Sequence, residues 1–334
     1  METSLPMIWA MLIAFAVLAY VVLDGFDLGV GILFPFVRGD RNRTVMMNSV
    51  APIWDGNETW LILGGGGLLA AFPLAYSIVL TALYAPIIAM LIGLVFRGVA
   101  FEFRFRTERN KIFWDIGFAG GSALAAFCQG IALGAFIQGI AVEGRSYSGG
   151  WFDWLTPFSV LTGVALVVGY ALLGACWLIL KTDGPFQQRF YRAALPLGFV
   201  VVALIGLVSI WTPFLSPEIA DRWFSWPNIV ILSPVPLLVV GLAWGFYLSV
   251  KHAKDLWPFL LSLGFFVVSY LGLGISMYPY VVPRVYSIWD AAAPPESLEF
   301  MLVGAVILLP IILGYTGYAY WVFRGKVRPD EGYH

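Results

Sequence analysis

Residues 8–36 read IWAMLIAFAVLAYVVLDGFDLGVGILFPF. The run up to Leu23 is apolar, and the whole stretch exceeds the roughly 20 residues needed to cross hydrocarbon as a helix. Asp24 and Asp27 then appear within it, three residues apart and so on one helical face. A carboxylate at mid-helix costs about 2.5–3.5 kcal/mol on insertion scales. The stretch therefore reads as a membrane helix that carries two acids in its second half. It has no basic start and no A-x-A site, and it is too long for a removable signal peptide, so it is expected to be retained.

The rest of the chain extends this reading. The 334 residues are 60% hydrophobic and 12% charged, against about 25% charged in soluble domains. The expected class is all-α: one polytopic membrane domain over residues 1–334. Apolar runs predict nine transmembrane helices near 8–36, 53–72, 74–103, 113–142, 155–180, 191–213, 228–250, 257–281 and 298–323. A faint repeat groups them as two four-helix bundles, over 8–142 and 155–281, with 298–323 a peripheral ninth helix.

Basic residues orient the set. With the N-terminus outside, only Arg145, Arg222 and Arg284 of the nineteen Lys and Arg fall in outer loops. The remainder lie on the inner side, including Arg97 and Arg328, as the positive-inside rule requires for an odd number of crossings. The C-terminus is then cytoplasmic. Trp151, Trp154, Trp211, Trp223, Trp226 and Trp289 form an aromatic belt on the outer face.

This orientation brings the embedded charges to one depth. Asp24 and Asp27 fall in the inner half of the first helix, and Asp55 and Glu58 in the first turns of the second. Arg97 ends the third and Asp115 begins the fourth. Two readings stay open: interfacial charges that snorkel or cap helices, and a wet acidic funnel for protons, or a cation site neutralised by Arg97 and a bound ion. Intramembrane acids in series are common material for proton relays. Asn57 can donate and accept beside them, and Trp54 and Trp60 can seal the site from lipid. Gly64–Gly67 permits close helix approach.

Histidine is confined to His252, in a short loop, and His334, the last residue. No haem held by His on facing helices is expected in this chain. Cys128 and Cys176 sit at different depths, which disfavours a disulfide, and read as small core residues.

Leu23-Asp-Gly-Phe-Asp-Leu-Gly29, Ala51-Pro-Ile-Trp-Asp-Gly-Asn-Glu-Thr-Trp-Leu61, Phe96-Arg-Gly-Val-Ala-Phe-Glu102 and Met277-Tyr-Pro-Tyr280 resemble subunit II of cytochrome bd-type quinol oxidases, through all nine helices. The compact length is similar to the cyanide-insensitive branch. The resemblance implies a bacterial inner-membrane heterodimer with a larger subunit I that holds two haem b and one haem d. Quinol is oxidised there and O2 reduced to water, with protons drawn from the cytoplasm. A small single-helix subunit and membrane lipid are further partners the resemblance allows; nucleic acid is not. It assigns Asp55 to a proton path at the subunit interface, and Asp27 to the same hydrophilic region, with Arg97 and Asp115 lining it. It assigns Trp60 to an apolar passage for O2. Glu58 stands where many members carry Gln. The extra acid favours a cation held at Asp27, Asp55 and Glu58.

Two other functions compete. A proton- or cation-coupled secondary transporter would use the same acids and glycines, but with broken helices at the midplane. A purely structural membrane scaffold would need none of them for turnover.

Overall fold

The computed structural model describes residues 4–107 and 109–327; Arg328 and His334 lie outside them. Thirteen α-helices and two short hairpins make up the described chain. They are α1 (Leu5–Leu33), α2 (Asp40–Val50), α3 (Trp54–Ala71), α4 (Pro73–Ala82), α5 (Tyr84–Arg106), α6 (Lys111–Gln138), α7 (Pro157–Lys181), α8 (Gly184–Trp211), α9 (Pro217–Phe224), α10 (Asn228–Leu232), α11 (Pro234–Lys251), α12 (Trp257–Met277) and α13 (Pro295–Val322). The hairpins pair β1 (Val142–Glu143) with β2 (Ser146–Tyr147), and β3 (Tyr280–Val282) with β4 (Tyr286–Ser287), both antiparallel. The fold is all-α and polytopic. Eight helices among the described residues are long and apolar enough to cross a membrane. The expected second span, α3, is not among them, because its first turns carry Asp55, Asn57 and Glu58 and its middle carries four glycines.

Three expectations change. The run 74–103 is divided at Leu83 into α4 and α5. Pro86 lies just beyond the division; it has no N–H to give the preceding turn, and its ring crowds the carbonyl there. The loop after α1 contains a helix, α2, whose charged first turn reads as loop although Val45–Val50 are buried. Finally, α8 begins at Gly184 rather than 191 and passes through Pro196 unbroken. Helix α7 starts on a capping box: the Thr156 hydroxyl accepts from the Ser159 N–H at 3.1 Å and the Ser159 hydroxyl from the Thr156 N–H at 2.8 Å, which satisfies two otherwise orphaned donors.

The core sits where α1, α5, α6 and α7 meet. Phe26, Leu28, Phe118, Tyr170, Leu173 and Phe265 pack into one buried cluster that joins residues of both expected bundles. The tightest crossing is α1 on α7. A Cβ built at Gly29 would fall on the Tyr170 carbonyl and 2.8 Å from the Gly174 nitrogen, and one at Gly174 would lie 2.7 Å from the Gly29 carbonyl oxygen. The two backbones touch with no side chain between them. Cys128 and Cys176 are both buried and free. Helices α11 and α13 are the most exposed, with 6% of the spanning window buried in each.

Candidate functional site: a buried arginine among carboxyl groups

Helix α1 continues without interruption through Asp24 and Asp27, so the unwound segment a transporter would place here is absent. Both carboxyl groups have zero exposure. Opposite them α5 contributes Arg97, also at 0%. One of its terminal nitrogens, Nη2, lies 2.7 Å from Asp24 Oδ1 and 3.8 Å from Asp27 Oδ2; the other, Nη1, lies 3.5 Å from Glu58 Oε2 of α3. One guanidinium thus faces three carboxyl groups from two neighbouring helices. Glu58 is the most open of them, with its side chain 27% exposed.

Asn57 fixes Asp27. Its amide donates to Asp27 Oδ2 at 2.7 Å and to the Leu23 carbonyl at 3.3 Å, and its own oxygen accepts from the Tyr320 hydroxyl at 2.9 Å. The Arg97 guanidinium lies 5.7 Å from the Trp54 ring centroid, and Trp54 in turn stacks on Phe101. The indole forms a lid over a charge that cannot be shed, since a guanidinium stays protonated in proteins. Both Asp24 oxygens, Asp27 Oδ1 and the three guanidinium nitrogens lack aligned hydrogen-bond partners among the described residues; the contacts are ion pairs rather than a closed hydrogen-bond fork. Trp60 is 2% exposed, meets Phe15 edge-on at 5.6 Å, and packs with Ala16, Ala19 and Tyr20.

The structure therefore brings together Asp24, Asp27, Asn57, Glu58 and Arg97. It separates two of the expected members. Asp55 is exposed on α3, and its side chain is not among the carboxyl groups paired with Arg97. Asp115 belongs to a second network: it accepts from Arg43 Nη1 and from Arg104 Nε, each at 2.6 Å. Arg104 reaches on to Asp40 at 2.6 Å, and Lys111 meets the same Asp40 at 2.9 Å. The Lys111 ammonium and the Arg104 guanidinium hold the Asp40 carboxyl below the usual carboxylate range, against a smaller effect of burial. Among the described residues no group of three or more His, Cys, Asp or Glu side chains is placed to hold a metal ion. Asp27, Asp55 and Glu58 do not converge as a cation site: Asp55 is exposed, whereas Asp27 and Glu58 face Arg97.

Residues the sequence did not single out also shape the site. Tyr320 arrives from α13, and nothing near it in sequence signals contact with residue 57. Gln129 donates to the Tyr20 hydroxyl at 2.7 Å and accepts from Tyr170 at 2.9 Å, which holds Tyr20 one turn from Asp24 on the same face of α1.

A family model described as cytochrome bd terminal oxidase subunit II matches residues 5–323. The chain is 32% identical to cytochrome bd-I ubiquinol oxidase subunit 2 of Escherichia coli (strain K12), an alignment that covers 98% of this chain and 96% of that protein. It is 30% identical to cytochrome bd ubiquinol oxidase subunit 2 of Bacillus subtilis (strain 168), with 98% of each covered. In fold it is similar to a chain in the solved structure of bd oxidase from Geobacillus thermodenitrificans, with a TM-score of 0.77 over 96% of this chain and 98% of that one, at 16% identity.

Proposed function

The chain belongs to the cytochrome bd terminal oxidase subunit II family, and from that premise we propose that it is the haem-free half of an inner-membrane quinol:O2 oxidoreductase. Its partner is the haem-bearing subunit I, whose two haem b and one haem d supply quinol oxidation and O2 reduction. The spanning helices here offer no histidine to ligate haem, so the chemistry of this chain is that of its acids. The N-terminus is outside and the C-terminus cytoplasmic, α3 is the ninth crossing, and the helices form two four-helix bundles with α13 peripheral.

The observation that carries the reading is the complete burial of Arg97 against three carboxyl groups. A permanent cation balances one carboxylate, so the pocket is neutral only when two of the three acids hold a proton. Uncompensated charge is costly in an apolar interior. The pocket accordingly stores protons and opens to the surface through Glu58. Exposed Asp55, one turn before Glu58, collects protons at the cytoplasmic face and at the contact with subunit I. Glu58 passes them inward beside Arg97 to Asp24 and Asp27, and Asn57 holds the Asp27 carboxyl for the transfer. Asp115 stands outside this route and braces α6 against α2 and α5. Trp60, in an apolar setting with two alanines, borders the passage for O2.

The test is turnover in the assembled complex. Asp27→Asn and Asp55→Asn should each lower quinol-driven O2 consumption on the order of 10²-fold, the typical scale of a lost proton-transfer group, with the reduced-minus-oxidised haem bands retained. Undiminished turnover in both variants would favour the scaffold reading. A full haem spectrum from this chain purified alone would overturn the division of labour.

A further inference from the structure

A cavity of about 290 Å³ lies where α7 ends, apart from the Arg97 pocket. Its walls are the junction of α2 and α3 (Ser49, Pro52, Ile53), Trp177 and Lys181 of α7, and the segment that follows α13. That segment is fastened down. The Val327 N–H donates to the Lys181 carbonyl at 2.8 Å, and Lys326 Nζ donates to the Ile179 carbonyl at 3.2 Å, the Thr182 carbonyl at 3.0 Å and Asp255 Oδ2 at 2.6 Å. An ammonium has three donors, so Lys326 is fully used inside the protein.

Lys181 is not. The residue is 5% exposed, and its ammonium lies 4.8 Å from the Trp177 ring centroid. It donates to the Phe323 carbonyl and, at 3.4 Å, to the Gly325 carbonyl. One donor is left over, and no carboxylate forms an ion pair with it among the described residues. The C-terminal end of α7 offsets about half a charge. The remainder of a buried positive charge faces a cavity walled by Pro52, Ile53, Trp177 and Val322, with Asn48, Ser49 and Tyr320 as polar wall residues. Buried charges in proteins are ordinarily paired. A cation in a space with both polar and apolar walls fits the anionic end of an amphiphile. The volume sits at the foot of the range for small-molecule pockets, about 300–1,000 Å³. It admits a phosphate group and its nearest atoms, with any acyl chains left outside along the exposed face of α13.

We propose that this cavity is a phosphate-binding site, with Lys181 as the charge that seats the anion and the segment Gly325–Val327 as its outer wall. The anion site takes no part in the proton route, although Tyr320, one of its walls, donates to Asn57. The anion is the headgroup of an acidic phospholipid or free phosphate, and the two sources are separable. The assembled complex is stripped of lipid in detergent and its thermal midpoint measured with phosphatidylglycerol, with phosphatidylcholine and with inorganic phosphate. Phosphatidylglycerol should raise the midpoint above that with phosphatidylcholine by at least about 2 °C, and Lys181→Met should abolish the gain. A gain with phosphatidylglycerol only assigns the lipid; an equal gain with inorganic phosphate assigns the free anion. No anion-dependent gain in the wild-type complex overturns the proposal, as does a gain that persists in Lys181→Met. Where Lys181→Met does not assemble, Ile53→Trp, which fills the cavity and keeps the lysine, is held to the same criterion.

Discussion

Arg97 is the residue on which the site turns. Removing one partner of a buried ion pair leaves the others uncompensated and costs about 3–5 kcal/mol. Arg97→Gln should therefore lower the stability of the assembled complex by that order in denaturant unfolding. Adding Asp24→Asn to Arg97→Gln should restore part of the loss, whereas Asp24→Asn alone should destabilise. Simple additivity of the two would show that the pair is not coupled. Asp40 has an opposite exposure and a smaller weight. Its folded carboxyl titrates below its unfolded value because Lys111 and Arg104 hold it ionised. The stability it contributes is complete above the unfolded value, near pH 3.9, and is lost as pH falls through the lower folded value. Acid destabilisation below about pH 4 should thus be shallower in Asp40→Asn, read as the thermal midpoint against pH. The side chain is 58% exposed, so the effect is small. At this scale the sequence is informative about depth. Helix direction and spacing place Asp24, Asp27, Glu58 and Arg97 at one level, and they meet. The same argument is blind to azimuth: it assigns Asp115 the same depth, but Asp115 faces Arg43 and Arg104, and Asp55 turns outward while Asn57 turns in.

At the scale of elements, the α1–α7 crossing is set by glycine. Gly174→Val would drive side-chain atoms into the Gly29 backbone. Overpacking typically costs 1–3 kcal/mol, and contact with backbone puts this case at or above the upper end; the expected readout is loss of folded, assembled protein in membranes. The glycines of Gly64–Gly67 divide. A Cβ at Gly64 or Gly67 would press on Val17 or Ile13 of α1, whereas Gly65 and Gly66 face open space in this chain. Gly65→Ala is therefore expected to be neutral or stabilising by roughly 0.5–1 kcal/mol through helix propensity, unless subunit I packs there; a fall in assembly with an unchanged isolated chain would map that contact. The close packing expected of this run holds for half of it, because the other half looks away from the rest of the chain. Helix α2 is illegible in the sequence for a related reason: its first turn is charged, and its burial comes from elsewhere in the chain, including α7, where Trp177 Nε1 donates to the Ser49 carbonyl at 3.2 Å. Such a partner is distant in sequence and leaves no local trace.

Across the whole molecule, burial is graded from α7 outward. The spanning window of α7 is 67% buried and that of α13 is 6%. Helix α13 is tied mainly at its ends, by Trp9 Nε1 donating to the Leu298 carbonyl at 3.0 Å and by Lys181 and Lys326 beyond Val322. Amide hydrogen exchange should be slowest in α7 and fastest among the long helices in α11 and α13, and Lys326→Ala should speed exchange at the C-terminal turn of α13 without changing α7. Uniform protection across both helices would contradict this gradient. The direct backbone seam between Gly29 and Gly174 has a mechanical corollary. No compliant layer of side chains separates the two helices, so α1 cannot slide like a piston against α7. Asp24 and Asp27 are mounted on a rigid spar, and whatever passes through their pocket must be accommodated by rearranging electric charge and hydrogen, not by travel of the helix that carries them.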